Sequence, residues 1–143
     1  MNATLKLGEH YIFDLSNCDQ QVLMDSEWAQ SLFATAVRAS GLTVVDEGFY
    51  KFNPHGFTCF LLLSESHASL HAWPEYGYCA IDLFTCAIGK DLLPLIKQIK
   101  DAFGADNFTL RKLDRHAEVY TELQPEVHLG YYTEVKGELP VAI

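Results

Sequence analysis

The sequence has no long hydrophobic run and no cluster of basic residues, and we expect no secretory signal. No apolar stretch approaches the roughly 18 residues of a membrane-spanning helix, and the N-terminus lacks an apolar signal core. Lysine and arginine number 10 against 19 aspartates and glutamates, and the resulting net charge of −9 would repel nucleic acid and anionic membranes. We therefore expect a cytoplasmic protein whose partners include neither nucleic acid nor a membrane.

The four cysteines also lack the Cys-x-x-Cys spacing of metal and redox motifs; they are Cys18, Cys59, Cys79 and Cys86. In a chain without a secretory signal, this spacing predicts free thiols rather than a disulfide framework. The length of 143 residues and the 49% hydrophobic fraction suit a single domain, 1–143, with a core of its own.

Hydrophobic periodicity predicts a first strand, a long helix and a second strand in the first third of the chain. Apolar residues alternate around Tyr11 to Leu15, as in a strand. Helical spacing predicts one helix from about Gln20 to Ser40, which Gly41 would end. The stretch 42–52 has the composition of a strand interrupted by the acidic pair Asp46-Glu47.

Three short apolar stretches bounded by turn residues then predict neighbouring antiparallel strands, at 57–63, 67–73 and 78–84. After them, Asp91 can cap a second helix that ends near Gly104, and 108–113 predicts a last strand. This order favours an α+β two-layer sandwich with helices on one face of a largely antiparallel sheet. A homodimer is one way to cover the other face.

Reactive side chains are concentrated directly after the apolar stretch that ends at Leu63. His67 and His71 would share a face, but a zinc site needs further ligands, and the available Cys79, Cys86 and Glu75 match no standard zinc spacing, so we expect no metal. Ser66 lies beside His67, but no Gly-x-Ser-x-Gly elbow surrounds it, which argues against a serine hydrolase.

A third chemistry is available at the Glu65-Ser66 bond. A serine hydroxyl at a strained bend can attack the preceding carbonyl if a donor stabilises the oxyanion and a base then removes the serine α-proton. Elimination would split the chain and leave a pyruvoyl group, a ketone that acts as an electron sink in decarboxylation. Composition and periodicity alone do not favour this chemistry over a plain polar turn.

Three segments carry a resemblance to a known family: Ser64-Glu-Ser-His67, His71-Ala-Trp-Pro-Glu75-Tyr-Gly-Tyr78 and Ile81-Asp-Leu-Phe-Thr-Cys86. They are similar to the small prokaryotic S-adenosylmethionine decarboxylases, pyruvoyl enzymes of spermidine synthesis. The similarity is dense over 48–86 and looser over 8–113. It implies self-cleavage between Glu65 and Ser66 into a β chain 1–65 and an α chain 66–143, with Ser66 becoming the covalent pyruvoyl cofactor.

The resemblance also implies catalytic roles for individual residues. His71 would take the α-proton of Ser66 during processing, and Cys86 would be the general acid that protonates the substrate carbon after carbon dioxide leaves. Thr58 stands where the family has a processing hydroxyl, usually serine. Ser66 and His71 are five residues apart, so an unbroken strand would put them on opposite faces and a bend or the cleavage must bring them together.

For the substrate, S-adenosylmethionine, the resemblance implies stacking of the adenine on Phe52 and Trp73 and a carboxylate, Glu75, on the ribose hydroxyls. It further implies a homodimer of cleaved αβ protomers. Two alternatives stay open: a related pyruvoyl-dependent decarboxylase of arginine or ornithine, and an unprocessed domain that binds a nucleoside or a partner protein without catalysis.

Overall fold

The structure is a computed structural model that describes residues 3–119. Its elements in chain order are β1 (Ala3–Ser16), α1 (Gln20–Met24), α2 (Ser26–Ala39), β2 (Val44–Lys51), β3 (Phe57–Leu63), β4 (Ser66–Trp73), β5 (Tyr78–Thr85), α3 (Leu93–Ala102) and β6 (Asn107–Val119). Residues Lys6–Arg115 form one compact unit, to which the following description applies; the described residues outside it are the outer ends of β1 and β6.

The strands form one six-stranded sheet in the order β2-β3-β4-β5-β1-β6. Neighbouring strands pair antiparallel from β2 through β3, β4 and β5 to β1. One face of this sheet is apolar and is buried with the inner sides of α2 and α3, as shown by the fully buried Phe13, Phe33, Leu61, Leu70, Ile81 and Ile99. The predicted α+β sandwich with helices on one face is therefore confirmed.

The opposite side of the sheet, here called the open face, carries no helix among the described residues. Its side chains alternate with the core residues, and Phe60 and Leu62 are 41% and 44% exposed there. The His67 ring stacks on Phe60 at 5.6 Å between centroids and contacts Phe84 at 5.7 Å. The open face thus combines exposed apolar and aromatic surface with imidazole groups.

Two predictions of secondary structure are wrong. The single helix from Gln20 to Ser40 is divided at Asp25, whose backbone leaves the helical region and whose carboxylate accepts the Trp28 N–H to cap α2. The acidic pair Asp46-Glu47 does not interrupt β2, because a register shift between Val44 and Asp46 keeps both residues in the strand, where they are exposed. The strands β3, β4 and β5 and the helix α3 match their predictions to within two residues at each end.

Within residues 3–119, no helix has the length and apolarity to cross a membrane.

Candidate active site

Ser66 occupies a strained position at the tip of the β3–β4 hairpin. Leu63 pairs with Ser66, so only Ser64 and Glu65 connect the two strands. The φ of Ser66 is +142°, in the region that favours glycine and is costly for a residue with a side chain. Such strain clusters at functional sites, typically at roughly 1–3 kcal/mol per residue. The predicted cleavage point therefore has the most unusual backbone conformation of the hairpin.

The carbonyl before Ser66 already has a hydrogen-bond donor. The backbone N–H of Cys86 donates to the Glu65 carbonyl oxygen over 2.8 Å. Cys86 directly follows Thr85, the residue of β5 that pairs with Ser66. A backbone N–H fixed on this oxygen would stabilise the negative charge that develops there when the carbonyl carbon is attacked.

The Glu65 side chain is anchored separately. Both carboxylate oxygens accept the Thr43 N–H, at 3.2 and 3.1 Å, and the Ser64 N–H donates to the Thr43 carbonyl oxygen over 3.0 Å. Burial opposes ionisation of Glu65, but the hydrogen bonds from the Thr43 N–H and the Ser64 side chain outweigh it and hold its pKa below the usual value. The hairpin tip is thereby tied to the loop between α2 and β2.

Glu65, Ser66 and Cys86 together are called the cleavage cluster below. The Cys86 side chain is exposed, and it is the one exposed thiol among the four cysteines, which are all free. Its position at the end of β5 leaves the sulfur accessible beside the hairpin tip. This accessibility is what a group that donates a proton to a bound substrate needs.

A second pair of predicted residues, Thr58 and His71, lies toward the other end of β4 and is called the histidine cluster below. Thr58 and His71 are direct cross-strand partners, and the Thr58 hydroxyl and His71 Nδ1 form a hydrogen bond of 2.8 Å. The ring centroids of His71 and Trp73 are 6.3 Å apart, and those of Trp73 and Tyr78 are 5.5 Å apart. An imidazole and a hydroxyl are thus held together on the open face beside an aromatic surface.

The remaining predicted substrate residues lie at the same end of the sheet. Phe52 follows β2, is 48% exposed and contacts the ring of Tyr50 at 4.9 Å. Glu75 lies in the single 3-10 turn after Trp73, and its Oε2 is 3.1 Å from His55 Nε2. Trp73 is 40% exposed, so two aromatic side chains and a carboxylate are accessible to a ligand here.

The structure does not bring the two clusters together within one chain. Strand β4 runs without a break from Ser66 to Trp73, so Ser66 pairs with Leu63 and Thr85 while His71 pairs with Thr58 and Ala80. Five residues of extended chain separate Ser66 from His71 by roughly 16 Å at about 3.3 Å per residue. Of the two ways in which we expected them to meet, a bend or the cleavage itself, the bend is absent from β4.

Sequence reasoning missed several residues that support these clusters. Thr43 anchors Glu65 and His55 pairs with Glu75, and neither contact has a local sequence signal, because the partners are 22 and 20 positions apart. Glu9, discussed below, had a signal: it falls on the same face as Tyr11, Phe13 and Leu15, which are all buried. Among residues 3–119, no group of three or more histidine, cysteine, aspartate or glutamate side chains is placed to hold a metal ion.

A six-stranded antiparallel sheet backed by helices, with a strained serine, an exposed thiol and a hydroxyl–imidazole pair at its strand ends, defines an α+β protein equipped as an enzyme. The sequence model of S-adenosylmethionine decarboxylase matches residues 9–116. The chain therefore belongs to the S-adenosylmethionine decarboxylase family, which confirms the predicted family and the predicted class of enzyme.

Several relatives carry the name S-adenosylmethionine decarboxylase proenzyme. The protein of Caldanaerobacter subterraneus subsp. tengcongensis is 36% identical over 115 residues, which cover 80% of this chain and 90% of the relative. That of Thermodesulfovibrio yellowstonii is 37% identical over 90 residues, covering 63% of this chain and 65% of the relative, slightly less than two thirds of its length. The protein of Methanococcus vannielii is 41% identical over 95 residues, covering 64% and 78%.

A solved structure has the same fold. The crystal structure of the adenosylmethionine decarboxylase from Aquifex aeolicus matches with a TM-score of 0.73 and 29% sequence identity, covering 83% of this chain and 98% of the other. None of these matches favours an arginine or ornithine decarboxylase or a non-catalytic binding domain.

Proposed function

We propose that this protein is a self-processing, pyruvoyl-dependent decarboxylase that converts S-adenosylmethionine to its decarboxylated form, the aminopropyl donor of spermidine synthesis. The observation that carries the proposal is the Cys86 N–H on the Glu65 carbonyl oxygen beside the strained Ser66. Family membership and the proenzyme names of the relatives support self-cleavage at this hairpin. The four free thiols are consistent with work in the reducing cytoplasm.

Processing uses groups that the chain itself supplies. The Ser66 Oγ attacks the Glu65 carbonyl carbon, the peptide C–N bond breaks, and the hydroxyl proton moves to the Ser66 nitrogen, which leaves an ester. A base then removes the Ser66 α-proton, and the Cβ–Oγ bond breaks. Its electrons leave with the main-chain carboxylate of Glu65, which becomes the new C-terminus of the first fragment. Hydrolysis of the resulting enamine consumes water and releases ammonia, which leaves a pyruvoyl group on residue 66.

The cleavage cluster suits both the formation of that group and its use. The Cys86 N–H stabilises the oxyanion of the acyl shift, and relief of the positive φ at Ser66 favours departure from the intact peptide. Once formed, the ketone supplies an electron sink for the electrons that carbon dioxide leaves behind. The exposed Cys86 thiol, adjacent to residue 66 through this backbone contact, donates the proton to the substrate carbon.

The histidine cluster that completes each site comes from a second copy of the chain. His71 is the proposed base for the Ser66 α-proton, but the unbroken β4 separates the two within one chain by roughly 16 Å. A homodimer in which open faces pack together, with strand directions opposed, brings the cleavage cluster of one copy to the histidine cluster of the other. The exposed Phe60 and Leu62 on that face support such an interface.

The same pairing supplies the substrate pocket. Phe52 and Trp73 offer ring faces on which adenine stacks, and the Glu75 carboxylate accepts both ribose hydroxyls. The contact with His55 Nε2 holds the Glu75 carboxylate in place. A ligand bound there by its nucleoside has its amino acid portion free to extend toward residue 66 of the other copy.

Intact mass under denaturing conditions tests the core of the proposal. Two fragments, 1–65 and 66–143 with a pyruvoyl start, together with release of carbon dioxide from S-adenosylmethionine, are expected. A single full-length mass after prolonged incubation of folded protein would overturn self-processing. Cleaved protein that decarboxylates arginine or ornithine in preference would overturn the assignment of the substrate.

Mixed expression tests the shared site. A tagged His71→Ala chain is expected to acquire a pyruvoyl start when it is co-expressed with a Ser66→Ala chain, which supplies an intact His71 across the interface. The control partner carries both substitutions and should give no cleavage of the tagged chain. If the tagged chain stays uncleaved with the Ser66→Ala partner as well, His71 acts within its own chain, whereas cleavage with the control partner would show that His71 is not the base.

A further inference from the structure

Glu9 is the one carboxylate that is almost completely buried among residues 3–119, with 2% of its surface exposed. Its Oε2 lies 2.8 Å from Lys112 Nζ and accepts the Tyr11 hydroxyl at 3.1 Å. Its Oε1 lies 3.3 Å from Lys6 Nζ and accepts the Gly89 N–H at 2.9 Å. A buried charge is costly unless it is paired and hydrogen-bonded, so each of these contacts compensates for desolvation.

Three of the four contacts come from β1 and β6, and the fourth reaches the segment that carries Cys86. This segment, Cys86–Gly89, is held at its start by the Cys86 N–H on Glu65 and the Ala87 N–H on the Thr85 hydroxyl. At its other end, the Gly89 N–H donates to Glu9 over 2.9 Å. Glu9 is thus the side chain from outside the segment that fixes its far end.

Glu9 also lies in line with the cleavage site. Glu9 pairs with Thr85 across β1 and β5, and Thr85 pairs with Ser66 across β5 and β4. The three residues are therefore successive cross-strand partners in one row, and Glu9 is anchored two strands away from the bond that breaks. Glu9 and the Glu65 carbonyl thus hold opposite ends of the Cys86–Gly89 segment.

We propose that Glu9 is a positioning residue for Cys86: through the Gly89 N–H it holds the Cys86 backbone N–H on the Glu65 carbonyl and the thiol beside residue 66. The proposal rests on the self-processing function proposed above. It assigns Glu9 no contact with substrate and no proton transfer. Displacement of a reacting group by about 1 Å can cost about a hundredfold in rate, so a change in this anchor is expected to slow self-cleavage.

A purely structural role for the buried charge makes a different prediction, and two conservative substitutions separate the two roles. Glu9→Gln loses the charge but keeps the side-chain length, so its amide oxygen can still accept the Gly89 N–H. Glu9→Asp keeps the charge for the long, flexible side chains of Lys6 and Lys112 but withdraws the carboxylate from Gly89, whose backbone cannot follow.

The test is a pulse-chase of freshly synthesised full-length chain in a cell-free system, with cleavage followed on a denaturing gel and thermal unfolding measured on each variant. The expected result is near-normal cleavage by Glu9→Gln and cleavage slowed about tenfold or more by Glu9→Asp. The matched control is Tyr11→Phe, which removes another hydrogen bond from the same carboxylate, leaves the Gly89 contact and should cleave within about twofold of the parent.

The opposite order, with slow Glu9→Gln and normal Glu9→Asp, would assign Glu9 to charge-based stability and overturn the positioning role. Equal rates in all three variants would overturn it as well. Failure of the parent chain itself to cleave at Glu65-Ser66 would instead count against the proposed function, so the two failures are distinguishable.

Discussion

Acidification is expected to remove a defined part of the stability of the fold through Glu9. The hydrogen bond from Lys112, followed by those from the Gly89 N–H, Tyr11 and Lys6, outweighs burial and lowers the pKa of Glu9 from 4.5 to about 2. Because the folded-state pKa is below the unfolded value, ionised Glu9 stabilises the fold fully above about pH 4.5. This stabilisation is lost progressively as the pH falls toward 2.

The expected size follows from this pKa difference. Each pKa unit corresponds to about 1.4 kcal/mol, so the pH-dependent contribution of Glu9 is about 3 kcal/mol. This is a large share of the roughly 5–15 kcal/mol by which a domain is stable, yet it leaves a Glu9→Gln variant able to fold at neutral pH. The lysine partners stay protonated throughout this range, since hydrogen bonds to Asp114 and Glu9 raise the pKa of Lys6 and the hydrogen bond to Glu9 raises the pKa of Lys112.

Urea unfolding followed by circular dichroism at pH 7, 5, 4 and 3 measures the effect. Both proteins should carry Ser66→Ala, so that one uncleaved chain unfolds and two-state analysis applies. The difference in unfolding free energy between the parent and Glu9→Gln is expected to be constant above pH 5 and to shrink by about 1.4 kcal/mol per pH unit below 4.5. Parallel stability curves down to pH 3 would refute the reasoning.

Substitutions at three positions of the proposed site have definite expected outcomes. Ser66→Ala should leave one full-length chain without activity on a denaturing gel, and a cleaved product would contradict the proposed origin of the cofactor. Cys86→Ala keeps its backbone N–H and should still cleave but lose about 10²–10⁴-fold in turnover, measured by carbon dioxide release; unchanged turnover would remove Cys86 as the acid. Thr58→Ser should cleave at least as fast as the parent in a pulse-chase, because it keeps the hydroxyl for His71 without the methyl that restricts χ1. Thr58→Val loses the hydroxyl and should cleave more slowly. Equal rates for Thr58→Ser and Thr58→Val would show that this hydrogen bond is not used in processing.

Much of the fold could be predicted because each strand has one face in the core. Alternation in β1 and β3 indicates that face directly. Phe13 in β1 and Leu61 in β3 are buried, whereas the residues on either side of each one in its strand are not. The division of the first helix could not be predicted from apolar spacing, because the spacing continues through Asp25. Only the hydrogen bond from the Trp28 N–H to the Asp25 carboxylate shows that Asp25 begins a new helix and is not a polar residue inside a longer one.

The identities of the site residues came from family resemblance, whereas their arrangement depends on contacts that no local pattern encodes. The Cys86 N–H on the Glu65 carbonyl is a backbone contact, independent of side-chain type, and therefore leaves no signal in the sequence. The separation of Ser66 from His71, by contrast, could be predicted from the sequence. The spacing of five residues already placed them apart, and the unbroken β4 keeps that separation.

The strand order has a consequence for what a cut at the hairpin tip produces. The fragment 1–65 carries β1, β2 and β3, and the fragment 66–143 carries β4, β5 and β6, but in the sheet β1 lies between β5 and β6. The two polypeptides are therefore interleaved rather than side by side, and neither can leave without breaking strand ladders on both sides of β1. Cleavage before the sheet has assembled would leave two pieces that must find each other at a bimolecular cost, so we expect the proposed cut to follow folding.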